Sequence, residues 1–117
     1  MLVFFSNFKK TKNNYHAYKI AGLQLGLKEY EEALKSVQVA ANLVDKGEIN
    51  VSFQVNKNYN QQVPLKAAIA YLEGLIYSNL EKDKEAKLAF EKAIQKFPDF
   101  VVAKSKLLTI EGNSEKE

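Results

Sequence analysis

His16 is the chain's one imidazole and cysteine is absent, so the side chains that most often ligate metals or act as nucleophile and base are nearly missing. A histidine cluster, a thiolate site and a disulfide framework are all excluded by that count. No phosphate-cradling glycine loop, nucleophile elbow or metal-ligand spacing is present. Glu73 is the one acid expected near the interior of a helix pair, and its simpler reading is a surface or hydrogen-bonded residue. His16 reads as a surface or packing residue. No catalytic residue, metal ligand or cofactor is therefore expected, and the chain is not read as an enzyme.

What remains is contact chemistry. Six tyrosines and seven phenylalanines supply large contact areas, and a tyrosine adds a hydroxyl that can orient a partner. All 17 basic residues are lysines, so the planar, two-pronged recognition of phosphate that a guanidinium provides is unavailable. The net charge of +3 is spread thinly, without a dense basic block, and nucleic acid is not an expected partner. The lysine runs Lys9 to Lys12 and Lys82 to Lys87 read as solvated. With 117 residues, one domain is expected, able to bury roughly two thirds of its extended-chain surface.

Apolar residues at helical spacing place the elements that would position these side chains. Residues 14–46 divide into two helices around Gly26 to Glu29. Asn13 or Asn14 is the expected cap of the first, Glu29, Glu31 and Glu32 favour the start of the second, and Gly47 follows its end at Lys46. Pro64 suits the start of a third helix, expected over 65–80. Glu81 to Glu85 is a charged turn, and a fourth helix over 84–97 carries Ala86, Ala89, Phe90, Ala93, Ile94 and Phe97 on one face, stopped by Pro98 and Asp99. A last helix from about Asp99 offers Val101, Ala103, Leu107, Leu108 and Ile110 as a lid, before a polar tail over 112–117 that is expected to fray.

Ala33, Val37 and Ala40 repeat as Ala86, Phe90 and Ala93, each 53 residues on, with Ala21 standing where Gly74 stands, Gln24 where Tyr77 stands and Asp45 where Pro98 stands. Between the copies, Ile49, Val51, Phe53 and Val55 alternate with polar residues, a strand pattern. Three readings of residues 48–64 stand side by side: a long loop laid back on the helices, an extension of the preceding helix followed by a mobile remainder, and an extended segment that pairs with another chain. Asn50, Val51 and Ser52 match a glycosylation acceptor triplet, a short pattern that arises by chance. For residues 1–12, Leu2, Val3, Phe4, Phe5 and Phe8 read as an end segment packed on the domain or partly disordered; alternatively they dock in an apolar groove of this or a neighbouring molecule, or sit on a membrane surface. That run is too short to span a bilayer.

Gly74, Tyr77, Ala86, Phe90, Ala93 and Pro98, at successive spacings of 3, 9, 4, 3 and 5, resemble the tetratricopeptide repeat family. The resemblance covers residues 67–100 and, more loosely, 14–47, with Ala70 in place of the family's aromatic and Glu73 in place of its leucine. It implies an all-α fold of stacked antiparallel helix hairpins with five main helices. A single domain over 13–111 would comprise repeat one (14–47), insert (48–64), repeat two (67–100) and capping helix (99–111). The insert is the departure, since such repeats ordinarily follow one another at about 34 residues.

The resemblance further implies a concave groove lined by the first helix of each pair, made here of Tyr15, Tyr18, Gly22, Leu25, Tyr71, Leu75, Asn79, Val102 and Lys106. Tyr71 and Tyr77 have an alternative reading as inter-helix core. The carboxylate clamp of chaperone-binding members looks absent, because its places carry Tyr18, Gly22 and Leu72, and Lys106 alone remains as a cation. A non-catalytic adaptor or scaffold that binds a protein or peptide in an aromatic, apolar groove is the expected function. The alternative is a self-associating structural module, assembling through the N-terminal segment or the insert into a homo-oligomer. No membrane insertion and a cytoplasmic location are expected.

Overall fold

The computed structural model of the protein describes residues 14–43 and 49–116. Within them the chain forms α1 (Asn14–Gly26), α2 (Tyr30–Asn42), β1 (Asn50–Asn56), β2 (Tyr59–Pro64), α3 (Leu65–Asn79), α4 (Asp83–Lys96) and α5 (Val101–Lys116). Five helices are thus described, as expected, and a two-stranded antiparallel sheet is added to them. The fold is mostly helical rather than all-α.

The two helix pairs, α1 with α2 and α3 with α4, turn in the same way down to individual hydrogen bonds. In the first turn the amides of Leu27, Lys28 and Glu29 donate to the carbonyls of Leu23, Leu25 and Gln24; in the second, Leu80, Glu81 and Lys82 donate to Ile76, Ser78 and Tyr77. Each bond recurs 53 residues later. Both turns close a helix with a left-handed residue, Lys28 at φ 64° and Glu81 at φ 61°, where glycine is the usual choice. The internal repeat read from the alanines is therefore also a repeat of backbone geometry.

Two apolar clusters meet at α3. Ala17 and Ala21 of α1, Ala33, Val37 and Ala40 of α2, and Leu65, Ile69, Leu72 and Ile76 of α3 form the first. The second joins Ala67, Ala70 and Tyr71 of α3 to Ala86, Phe90 and Ala93 of α4, with Val63, Phe100, Ala103 and Ile110. Helix α3 is buried on two sides, which explains its nearly continuous apolar sequence.

The insert is a β-hairpin that folds onto its own chain. Val51 faces Val63, Phe53 faces Gln61 and Gln54 faces Asn60; the register then shifts between Gln54 and Asn56, which faces Tyr59. Lys57 and Asn58 make the turn, where the Asn58 amide donates to Asn56 Oδ1 at 2.9 Å. Alternation is the cause: Val51, Phe53, Gln61 and Val63 share one face and pack on the helices, while Asn50, Ser52 and Gln54 are exposed. This outcome replaces the loop and helix-extension readings, and β1 finds its pairing partner within the chain.

Several boundaries are corrected. Helix α2 ends at Asn42, short of Lys46, because Leu43 turns to an extended backbone with φ −84° and ψ 152°. The last helix starts at Val101 and continues through Lys116, so the polar residues 112–116 extend it instead of fraying. Asn14 is the first residue of α1, and Pro64 stands just before α3 rather than inside it. The expected N-terminal segment 1–12, Asn13, Lys46 and Gly47 lie outside the described residues.

Candidate functional site

Tyr15, Tyr18, Gly22 and Leu25 recur three and four residues apart on α1, so one stripe of that helix carries all four. Tyr15, Tyr18, Leu25 and Leu75 pack partly buried against the first cluster. Tyr18 feels both Tyr15 and Tyr71, bringing three of the expected groove tyrosines into one neighbourhood. Burial pushes the Tyr18 phenol up to about 12, helped by the Tyr15 and Tyr71 hydroxyls beside it. Burial raises Tyr71 as well. The Lys19 ammonium sits 5.5 Å from the centre of the Tyr15 ring, one turn along the same helix.

Gly22 is the open point of this stripe. A β-carbon there would meet nothing within 4 Å, so the surface between Tyr18 and Leu25 is accessible at backbone level.

The second half of the expected groove is occupied by the hairpin. The Phe53 ring meets Tyr71 edge-on with centres 5.4 Å apart and Phe100 at 5.1 Å, and Tyr71 in turn touches Phe90 and Phe100. Val51 lies against the first cluster and Phe53 against the second, so β1 runs across both helix pairs. Gln61 fastens the other strand: its Nε2 donates to the Asp99 carbonyl and its Oε1 accepts from the Val101 amide at 3.1 Å, in the first turn of α5.

The expected residues therefore divide. Tyr15, Tyr18, Gly22 and Leu25 stay together on α1, and Leu75 of α3 packs against the same cluster as Tyr15, Tyr18 and Leu25. Tyr71 is buried in an aromatic cluster, which is the inter-helix alternative raised from the sequence. Asn79 is exposed, with its amide donating to the Leu75 carbonyl at 2.8 Å. Val102 belongs to the second cluster, and Lys106 is exposed on α5. Val51, Phe53, Gln61 and Val63 were not named as residues of this surface; the alternation of Val51 and Phe53 was visible and one reading laid the segment back on the helices, but the pairing with β2 that brings Gln61 and Val63 there was not anticipated.

Elsewhere, Glu73 is half-buried and paired with Lys92 at 3.2 Å. Gln24 is buried and accepts a 2.6 Å hydrogen bond from the Ser36 hydroxyl, joining α1 to α2. Among the described residues, no group of three His, Cys, Asp or Glu could hold a metal, and no helix is long and apolar enough to cross a membrane. No protein-family model, curated protein or solved structure matches the chain.

Proposed function

We propose that the protein is a non-catalytic interaction module of the tetratricopeptide type, which holds an apolar protein or peptide segment along α1. The observation that carries this reading is the stripe Tyr15, Tyr18, Gly22 and Leu25, aromatic and apolar on both sides of a backbone position with open space above it. The reading is supported by Phe53, which fills the equivalent place against Tyr71 from an extended strand. The partner segment would lie beside β1 and reach no further than Leu75, because the hairpin closes the rest.

Blocking the open position tests the reading without removing any packed side chain. Gly22→Trp should abolish capture of a partner from the native cell, while helical content and thermal stability match the wild type. Capture that persists with this variant would sink the groove assignment.

Self-association is the second reading, favoured by Leu23 on α1 and Leu27 in the turn after it, which are 66% and 70% exposed. Sedimentation over a wide concentration range decides it. A monomer throughout, unchanged by Leu23→Glu with Leu27→Glu, rejects this alternative.

A further inference from the structure

The hairpin leaves one backbone edge open on the side of the α1 stripe. The Leu65 amide donates to the Ile49 carbonyl at 3.0 Å, so these two residues form a bonded pair of the antiparallel ladder. Bonded and non-bonded pairs alternate, which makes Val51 with Val63 and Phe53 with Gln61 the next bonded pairs. Pro64, which has no amide hydrogen, accordingly stands opposite Asn50. The amides and carbonyls of Asn50, Ser52 and Gln54 therefore point away from β2, and no other described strand pairs with them. Gln61 ties β2 to the start of α5, whereas Val51 of β1 packs on the cluster that holds α1 and α2. The free edge of β1 thus looks toward the first helix pair.

Direction and reach select what covers that edge. Asn14 at the start of α1 and Lys66 at the start of α3 line one cavity with Ala40 and Lys96 from the last turns of α2 and α4, so α1 and α3 begin at the same end of the molecule. β2 runs into the start of α3 and is antiparallel to β1. A segment running into the start of α1 is likewise antiparallel to β1, on its other edge. Residues 1–13 are that segment. Leu2, Val3, Phe4, Phe5 and Phe8 make residues 2–8 rich in branched and aromatic strand formers, without a charged side chain or proline. Seven extended residues span about 23 Å against about 20 Å for α1, and residues 9–13 are enough to turn back into the helix.

We propose that residues 2–8 of the same chain add to the free edge of β1 as a third, antiparallel strand and lay alternate apolar side chains on Tyr18, Gly22 and Leu25. The proposal rests on the reading of the α1 stripe as an apolar groove and names its resident occupant, which a foreign segment has to displace. Gly22 gives the depth, since a β-carbon there meets nothing within 4 Å. The second helix pair supplies the precedent: the strands that precede α3 in sequence lie across it and put Phe53 on Tyr71.

The test is amide hydrogen exchange of the full chain, read residue by residue by NMR. In the wild type the Ser52 and Gln54 amides should exchange about tenfold or more below the rate of an unpaired amide, and in the Phe4→Asp, Phe5→Asp double variant they should return to that rate. The two changes lie on opposite faces of a strand, so one of them reaches the stripe in either register. Val51 and Phe53, bonded to β2, should keep their protection in both proteins. Unprotected Ser52 and Gln54 in the wild type, protection unaffected by the double change, or loss at all four amides alike would each overturn the proposal. Protection that fades on dilution identifies a second copy as the source of the strand and overturns it as well. The groove reading fails separately, through partner capture that survives Gly22→Trp; if that capture is lost while Ser52 and Gln54 are unprotected in the wild type, only the occupant named here is rejected.

Discussion

Phe90 places its ring where a β-carbon on residue 74 would have to stand: that carbon would lie 2.5 Å from the ring's Cε1 and 2.6 Å from Cδ1. At the matching position of the first helix pair, Ala21 faces the smaller Val37, and both are fully buried. The two pairs therefore fill one inter-helix space in two ways, glycine with phenylalanine or alanine with valine. Gly74→Ala alone should destabilise the protein by about 1–3 kcal/mol through overpacking, and Phe90→Ala by about 3–5 kcal/mol through the void it leaves. Combining Gly74→Ala with Phe90→Ala should cost less than the sum of the two single changes. Urea unfolding of the four proteins in this cycle measures the coupling, and strict additivity would show that the two positions do not compete for space.

Lys28 and Glu81 hold left-handed backbone at the two turns. A side chain in that region is strained, and glycine is not. Lys28→Gly and Glu81→Gly should each raise stability by about 0.5–1 kcal/mol, after allowance for the freedom glycine adds to the unfolded chain. Thermal melts that fall instead would mean that these side chains contribute contacts outweighing the strain.

Gln61 satisfies both ends of the break before α5, with one amide group serving Asp99 and Val101. Gln61→Leu keeps the size but removes both bonds, and should cost about 1–3 kcal/mol. Gln61→Glu retains an acceptor for the Val101 amide while losing the donor to Asp99, so its loss should be intermediate. Equal stability of all three proteins would show that water replaces the side chain without penalty.

Tyr18 links folding to alkaline pH. Its phenol titrates at about 12 when folded, against 10.0 for an ordinary tyrosine, so the folded state holds this proton more tightly than the unfolded state does. The contribution is fully present below pH 10 and is lost as pH rises toward 12; Tyr71 acts in the same direction. The urea midpoint should fall more steeply over that window in the wild type than in Tyr18→Phe. Identical slopes would place the Tyr18 hydroxyl in contact with solvent.

How far the site could be read from residues differs from element to element. The stripe on α1 was legible because three-and-four spacing needs nothing beyond the helix itself. Tyr71 was ambiguous because its spacing fits both the groove and the inter-helix space, and the contacts of its ring with Phe53 and Phe100 join stretches too far apart for spacing to reveal. Gln24 looked like a weak copy of Tyr77; its burial is explained by Ser36, which stands where α4 has Ala89.

The sequence by itself determined the helix pairs, their repeat at 53 residues and the strand character of Ile49 to Val55, because periodicity and turn chemistry are local properties of the chain. Tertiary structure decided what those elements cover. Once β1 and β2 satisfy each other's backbone groups, their apolar face needs a partner, and it meets Tyr71 of α3 and Phe100 just before α5. A choice between covering one's own groove and covering another molecule's depends on distances across the fold, which residue order does not contain.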